Sequence, residues 1–243
     1  VVFDHRYPHV LPLTAARAYY VRVLRFPGAF HDGTRPRNFI AYYGDGAGMS
    51  CAFSDNGLAW DKEKKVTGIA VNGYHVVCAL ETADRLRILY WNPDVPNQPY
   101  AMAGLRTAVC DPSVDPAAFT GDTPCSGDLV TEGSVQVWNR GHYGPSFLWH
   151  NPLPTSVEGR PFTWRYTMYF IASTGGNDSL GLACSNDAVV WKLFGNGPIL
   201  SGLIDPQLWE GANGYVSSAH VERLPDGRWW MLYSGGSAGN AGI

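Results

Sequence analysis

The sequence carries little charge and no concentration of one sign. Charged residues make up only 16% of its 243 residues, the formal net charge is −3, and the most basic stretch is KEKK at 62–65. Nucleic acids and anionic membrane surfaces attract proteins through a basic field, which this composition does not supply. We therefore expect neither a nucleic-acid partner nor a membrane partner.

Long apolar runs and a signal-peptide core are also missing. No apolar stretch approaches the roughly 20 residues that span a bilayer, and Val1 leads directly into VVFDHRYPHV. A chain of this kind is either cytosolic or has already lost a leader. We expect a secreted or periplasmic protein with its leader removed, because a disulfide is expected in one loop and disulfides form in oxidising compartments.

Cysteine is scarce, and its spacing excludes the common zinc motifs. There are five cysteines and no CxxC. Cys110 and Cys125 bracket a Pro- and Asp-rich loop, and closing a loop of about 15 residues would stabilise the fold by ~3 kcal/mol. We predict a disulfide between these two cysteines. Cys51, Cys78 and Cys184 lie among apolar neighbours in strand patterns, and we expect buried thiols there.

Aromatic and apolar residues, at 13% and 45%, are plentiful, and they recur in a repeated pattern. FIAYYGDGAGMSCAFSDNGLAW at 39–60 and YTMYFIASTGGNDSLGLACSNDAVVW at 166–191 both read as strand, Gly-rich turn, strand and closing Trp. The closing turns match residue by residue: Ser54, Asp55, Asn56, Gly57 and Trp60 with Ser185, Asn186, Asp187, Ala188 and Trp191. A third copy covers 73–105, and a fourth begins at Tyr215. Repeats of about 45 to 70 residues with several strands each are typical of a β-propeller.

We therefore predict an all-β, single-domain β-propeller of four-stranded blades, of the five-bladed type, without a helix longer than about two turns. The blades cover about 13–66, 67–139, 140–200 and 215–243, and an insertion at 92–138 in the second is long enough for a rim loop. The fourth unit stops inside a repeat, which would leave an unpaired edge. We expect a second polypeptide or a symmetry mate, or sequence beyond this chain, to complete it.

The tripeptide Asn-Gly-Tyr marks the start of two inner strands, at 72–74 and at 213–215. In a propeller such entrances border the axial funnel, so that their side chains point at the bound molecule. The corresponding side chains are rings, hydroxyls and imidazoles. The predicted ligand-binding residues are Tyr74, His142, Tyr143, Ser218 and His220, with Ser146 at an equivalent entrance and Trp209 in the loop before the fourth unit.

The strand and turn pattern resembles the five-bladed propellers of glycoside hydrolase families 43, 32, 62 and their relatives. The matching stretches are LPDGRWWMLYSGG at 224–236, FSDNGLAW at 53–60 and CSNDAVVWKLFGNGPIL at 184–200. These motifs are architectural, and the resemblance covers most of the chain. It implies a carbohydrate-active protein, in the first instance a glycoside hydrolase that acts on a poly- or oligosaccharide at the axial funnel.

The catalytic pattern of those families is not matched. They place three carboxylates at blade entrances, where this chain has Tyr19 and Tyr20, His75, and Gly144. Glycoside hydrolysis ordinarily needs two carboxyl groups about 5 to 9.5 Å apart. The candidate acids are Asp4, Asp205 and Glu210, the last two flanking Trp209, and His75 is a candidate proton donor because imidazole titrates near neutrality.

Two other functions stay open. A non-catalytic propeller would bind glycan or protein through its aromatic rim, and the unmatched carboxylate pattern favours it. A metal site at the axis would use Asp4 with some of His5, His75, His142 and His220, but no ligand spacing supports it. We therefore predict no cofactor, and a structural Ca²⁺ or other ion at the axis is the remaining alternative.

Overall fold

The computed structural model describes residues 19–45, 48–70, 74–92, 104–128, 144–151, 155–157, 160–174, 177–195, 197–201, 215–224, 226–237 and 240–242. In these segments all of the regular elements are β-strands. None of the described residues forms a helix that could cross a membrane. The prediction of an all-β protein is confirmed for this part of the chain.

Contacts divide the chain into two compact units, and the predicted single propeller domain stays a prediction. Unit 1 comprises Val1–Asn92 and Thr107–Thr123, and unit 2 comprises Pro93–Arg106 and Pro124–Ile243. The first eight strands, which lie mainly in unit 1, are β1 (Tyr19–His31), β2 (Pro36–Gly44), β3 (Met49–Ser54), β4 (Asp61–Lys65), β5 (Tyr74–Thr82), β6 (Arg85–Trp91), β7 (Leu105–Cys110) and β8 (Thr120–Pro124).

These strands form two four-stranded sheets, in the orders β1-β2-β3-β4 and β5-β6-β7-β8. Both β7 and β8 fall within 92–138, the segment predicted to be an insertion. These two stretches are therefore part of a sheet and not of a rim loop, and the insertion otherwise stays a prediction. The strand pattern of β7 was obscured because prolines lie on either side of it.

The core of unit 1 is built from buried side chains of both sheets, and β2 and β3 contribute most completely because they have almost no exposed side chain. Tyr42 is fully buried and donates its hydroxyl proton to the Pro116 carbonyl at 2.7 Å. Thr67 and Phe119 join the two sheets, since the Phe119 amide donates to the Thr67 carbonyl at 3.0 Å. Gly68 is required beside this bond because a Cβ atom there would lie 1.8 Å from the Phe119 carbonyl oxygen.

Unit 2 contains two larger sheets and a short hairpin. Its strands are β9 (Ser126–Gly127), β10 (Pro145–His150), β11 (Thr155–Val157), β12 (Arg160–Phe162), β13 (Tyr166–Thr174), β14 (Asn177–Ser185), β15 (Val190–Leu193), β16 (Leu200–Ser201), β17 (Tyr215–Arg223), β18 (Trp229–Ser237) and β19 (Asn240–Gly242). The sheet orders are β10-β13-β14-β15-β9, with β16 on β14, and β17-β18-β19. Four-stranded sheets in an all-β chain fit a β-propeller-like fold, and the number of blades stays a prediction.

The closing turn predicted from the repeats has the same hydrogen bonds in both copies. In the first, Ser54 Oγ accepts from the Gly57 amide at 2.9 Å, Asn56 Oδ1 accepts from two further amides, and the Trp60 indole donates to the Gly57 carbonyl. This arrangement satisfies amides that the strands leave unpaired. Gly57 takes a φ of 76°, which suits glycine.

In the second copy, Ser185 and Asp187 replace Ser54 and Asn56 with closely similar distances. The Trp191 indole donates to the Ala188 carbonyl at 3.2 Å, and Ala188 takes a φ of 61° although it carries a Cβ. Trp191 is fully buried, whereas Trp60 is only half-buried.

Replacing each closing tryptophan by alanine should therefore have unequal effects. We expect Trp191→Ala to reduce the free energy of unfolding by about 3–5 kcal/mol, because it empties a buried site. Trp60→Ala should cost roughly 1–2 kcal/mol, since less apolar surface returns to water. Urea unfolding followed by circular dichroism measures both, and equal losses would contradict the difference in burial.

All five cysteines are free and buried, so the predicted disulfide between Cys110 and Cys125 is wrong. Each thiol has a different partner: Cys110 Sγ donates to the Pro116 carbonyl and Cys125 Sγ to the Ala188 carbonyl, both at 3.7 Å. The prediction of buried thiols at the other three positions is confirmed. A secreted or periplasmic location loses its support from the disulfide and stays a prediction.

Thiol titration tests this correction. Burial raises the pKa of Cys78 to about 12 and that of Cys184 to about 11, and it also raises the pKa of Cys51 and Cys110. Because the thiolate is the reactive form, we expect almost no reaction with a chromogenic disulfide reagent at pH 8. In urea, without reductant, five thiols should react, whereas a disulfide would leave about three.

Candidate functional site

Aromatic rings from β10, β17 and β18 meet within unit 2. We call Phe147, Trp149, His220 and Trp229 the aromatic cluster. Side chains alternate across a strand, so Phe147 and Trp149 lie on one side of β10 while Leu148 is buried on the other. Each of the two rings on β10 then contacts a ring from the neighbouring sheet.

The two ring contacts of the aromatic cluster are edge to face. The ring centroids of Phe147 and His220 are 5.2 Å apart at an interplanar angle of 76°. Those of Trp149 and Trp229 are 5.0 Å apart at 79°. This geometry is favourable for aromatic pairs. It holds each ring in a defined orientation.

The cluster also presents apolar surface to solvent. Trp229 is 43% exposed and His220 is exposed, whereas Phe147 and Trp149 are half-buried. Leu232, which pairs with His220 across β17 and β18, is 55% exposed. The half-buried rings of Phe147 and Trp149 thus pack against His220 and Trp229, which solvent can reach. Exposed apolar surface of this kind is often an interaction site.

A β-bulge interrupts the regular pairing of β17 next to the aromatic cluster. Ser217 pairs with Ser234 and Ala219 pairs with Tyr233, which leaves Ser218 as an extra residue. Ser218 takes a φ of 45°, a left-handed conformation that costs about 1 kcal/mol or more outside glycine. Bulges are frequent beside functional sites, where they redirect a side chain.

Ser146 does not face a ligand, contrary to the prediction for its position. Its side chain is fully buried. Its hydroxyl oxygen accepts from the Ala219 amide at 2.5 Å and lies 3.4 Å from the Ala219 carbonyl. The hydroxyl therefore joins β10 to β17 inside the protein. The position on the strand was correctly recognised, but the hydroxyl faces the interior, and Ser146 is itself the extra residue where the pairing of β10 with β13 shifts.

The structure places two of the predicted site residues together, Ser218 and His220, which are two positions apart on β17 beside the aromatic cluster. Tyr74 and His75 begin β5, but their side chains are outside what the structure describes. The other predicted residues lie outside the described residues: Asp4, His142, Tyr143, Asp205, Trp209 and Glu210. Their roles stay predictions.

Three rings of the cluster, Phe147, Trp149 and Trp229, were not among the site residues predicted from the sequence. The alternation in SFLWH at 146–150 was a usable signal, because it puts the two rings of β10 on one side. For Trp229 there was no such signal. Its contact with Trp149 joins strands far apart in the sequence.

Metal chemistry finds no support in the described residues. Within the segments given above, no group of three or more His, Cys, Asp or Glu side chains could hold an ion. Most of the predicted axial ligands lie outside those segments. The axial metal site therefore stays an untested alternative.

An open groove of about 570 Å³ in unit 1 is lined by apolar and polar residues, among them Asp84, Asp111 and Asp115, whose carboxylates already have structural partners. Asp111 accepts hydrogen bonds from the Ser113 amide and hydroxyl. Asp115 accepts from the Ala117 amide and pairs with Lys64 at 3.3 Å. These carboxylates hold the loop between β7 and β8 in place. The aromatic cluster is the better candidate site.

Arg37 joins three carboxylates elsewhere in unit 1, at the end of the sheet where β1 turns into β2. Its guanidinium lies 2.6 Å from Asp32, 2.9 Å from Asp55 and 2.8 Å from Asp61. Both Arg37 and Asp32 are buried. Since the charges are paired within the protein, we assign this network to stability and not to ligand binding.

No protein-family model matches the chain, and no curated protein matches it in sequence. Solved structures do match it in fold. They include glycoside hydrolases of families 43, 32 and 130, so the chain resembles the propeller glycoside hydrolases and their relatives, as the sequence motifs predicted. At this low identity the likeness shows the fold alone.

Three of these structures illustrate the extent of the match. The BT0996 RGII complex has a TM-score of 0.56 and 15% identity, over 91% of this protein and 72% of that one. A thermostable family-43 glycoside hydrolase has a TM-score of 0.54 and 15% identity, over 89% and 63%. A β-1,2-mannobiose phosphorylase from Listeria innocua, in complex with β-1,2-mannobiose, has a TM-score of 0.52 and 14% identity, over 90% and 54%. The chain thus spans less than two thirds of the hydrolase and of the phosphorylase.

The Asp32 carboxylate makes the stability of unit 1 depend on pH. Burial alone would raise the pKa of Asp32, but hydrogen bonds from Thr34 and Arg37 outweigh it and hold the pKa well below its ordinary value. A carboxyl group whose pKa is lower in the folded state contributes stability above its unfolded pKa, about 3.9. That contribution is lost as the pH falls below this value.

We therefore expect Asp32→Asn to lower the free energy of unfolding by roughly 2 kcal/mol at pH 7. The difference from the unchanged protein should shrink as the pH is lowered below about 4. Urea unfolding at a series of pH values measures it. Asp84→Asn is the control, because this carboxylate of the same unit is exposed and accepts from the nearby Thr82 hydroxyl, and its effect should be much smaller. A pH-independent loss for Asp32→Asn would contradict the charge argument.

Proposed function

We propose that the protein is carbohydrate-active, of the propeller glycoside hydrolase type, and that it binds a poly- or oligosaccharide at the aromatic cluster. The observation that carries this proposal is the pairing of accessible rings with a hydroxyl and an imidazole at the bulged start of β17. The fold supports it, because the structures that share the fold include glycoside hydrolases of several families.

The chemistry of the cluster suits a sugar. The apolar face of a pyranose or furanose ring stacks on aromatic surface, while its hydroxyl groups need hydrogen-bond partners. Trp229 offers the exposed ring, and His220 and Ser218 offer polar groups. A site with mostly apolar walls and a few placed polar groups is what small ligands generally occupy.

For catalysis we propose Asp4, Asp205 and Glu210 as the acids, with His75 as a proton donor. Tyr74, His142, Tyr143 and Trp209 are proposed as further sugar contacts. Support for all of these comes from the strand entrances in the sequence. Hydrolysis would need two of the carboxyl groups on opposite sides of the scissile bond, one to protonate the leaving oxygen. The proposal requires no cofactor.

A non-catalytic glycan-binding protein is the second candidate. The aromatic cluster and Ser218 together contain rings, an imidazole and a hydroxyl but no carboxylate. Such a set can bind a sugar without any means of hydrolysing it. The two candidates make the same prediction for binding and differ only in turnover.

The test measures binding and hydrolysis on one set of variants. The probes are 4-nitrophenyl glycosides, β-1,2-mannobiose, and plant and microbial polysaccharides. We expect Trp229→Ala and His220→Ala to weaken binding about tenfold, as the loss of one well-placed contact would. Phe194→Ala is the matched control, because Phe194 is 52% exposed in the same unit but lies outside the cluster. Equal effects of Phe194→Ala and Trp229→Ala would contradict the site.

Asp205→Asn and Glu210→Gln separate the enzyme from the binding protein. If these acids are catalytic, hydrolysis should fall by at least about a hundredfold while binding is kept. Hydrolysis that survives both changes would remove them from the mechanism. Binding without turnover in the unchanged protein would favour the second candidate, and no binding to any probe would overturn both.

A further inference from the structure

We infer that Ser146 is a positioning residue, which sets the register of β10 against β17 so that Ser218 and His220 face the carbohydrate. This inference rests on the proposed function. The Ser146 hydroxyl is buried and so does not contact the ligand, but it positions the residues that do. Three sets of contacts within unit 2 support it.

The first is the direction of the Ala219 backbone. In an antiparallel pair, facing residues either exchange both backbone hydrogen bonds or exchange neither. The Ala219 amide donates to Ser146 Oγ at 2.5 Å, and the Ala219 carbonyl accepts from the same hydroxyl at 3.4 Å. The amide and the carbonyl of Ala219 are therefore both directed at β10. The Ser146 side chain makes the hydrogen bonds that the backbone of a neighbouring strand would otherwise make.

The second is the ring contact that the next residue along each strand makes. Phe147 follows Ser146, His220 follows Ala219, and the two rings are 5.2 Å apart. The hydroxyl bond and the ring pair thus keep the same register. Moving one strand by one residue would break both contacts at once.

The third is the bulge. Ser218, directly before Ala219, is the extra residue in β17, and its φ of 45° is unfavourable for serine. A strand with an extra residue has an alternative pairing one position away, and such a slip would send each side chain to the opposite face. Anchoring Ala219 excludes that alternative. Ser146 thereby decides where Ser218 and His220 point.

Burial makes the hydroxyl hard to replace. Ser146 is 0% exposed and Ala219 is 1% exposed. Water from the surface cannot take over the hydrogen bonds without a local opening, so loss of the hydroxyl leaves a buried amide without its partner. We expect β17 to shift instead, and the rings of the cluster to shift with it.

The experiment compares Ser146→Ala with Ser185→Ala. Ser185 is the matched control, because it is also fully buried in unit 2 and its hydroxyl oxygen accepts from a backbone amide, but it lies at the end of β14, where the closing turn begins. Both variants should be destabilised in urea. Only Ser146→Ala should shift the ring resonances of His220 and Phe147 in NMR spectra and weaken binding of the probes named above, by about tenfold.

A second pair of variants covers the case in which Ser146→Ala does not fold. Thr and Val have the same shape, so Ser146→Thr and Ser146→Val add the same bulk and differ only in the hydroxyl. Binding and the His220 ring resonance should be closer to the unchanged protein in the Thr variant. If neither folds, slow hydrogen exchange of the Ala219 amide in the unchanged protein supports the anchor, and exchange as fast as in an open loop overturns it.

The outcomes separate this inference from the proposed function. Unchanged His220 resonances and unchanged affinity in Ser146→Ala would overturn the positioning role, even if the protein binds carbohydrate. Ring shifts without any carbohydrate binding by the unchanged protein would overturn the proposed function. In that case the resonances alone show that Ser146 orients the cluster.

Discussion

A serine hydroxyl that accepts hydrogen bonds from backbone amides is the interaction on which two of the sheets depend. At Ser54 and at Ser185 the hydroxyl accepts from a backbone amide of the turn, just where a buried strand ends and before the next strand of the sheet begins. Without it the turn would carry unpaired amides next to the core. The closing tryptophan then packs over the turn, and β4 or β15 can follow. Ser146 uses the same chemistry between strands that are distant in the sequence.

Much of the fold could be predicted because its signals are local. Strand alternation located β10, β13 and β14, and the residues that match between the two closing turns make the same hydrogen bonds in the structure. The failures have physical causes. Prolines on either side of β7 hid a strand inside a supposed insertion. The Cys110–Cys125 disulfide was inferred from loop length, whereas each thiol is in fact buried against a carbonyl of its own.

The candidate site was harder to predict, for a different reason. Ser218 and His220 were found because an Asn-Gly-Tyr turn marks the start of their strand. Phe147 and Trp149 were missed because their partners lie roughly 70 to 80 residues further along the chain, and a pattern within one strand says nothing about such contacts. Ser146 was placed correctly on its strand but expected to face the ligand. No sequence pattern reveals that the Ala219 backbone, next to the bulge at Ser218, is directed at the Ser146 hydroxyl.

The parallel pairing of β9 with β15 has a consequence for how the protein is made. Ser126 and Gly127 precede their partners Val190 and Trp191 by roughly 60 residues, while the hairpins around them close over only a few. Hairpins of this kind form within microseconds, but a contact across so long a segment carries a larger loop-closure cost and forms late. During synthesis, Ser126 and Gly127 emerge from the ribosome well before their partner strand exists. Until β15 is complete, the backbone groups of β9 are hydrated and lack their partner strand. During that time a strand edge is exposed to other nascent chains.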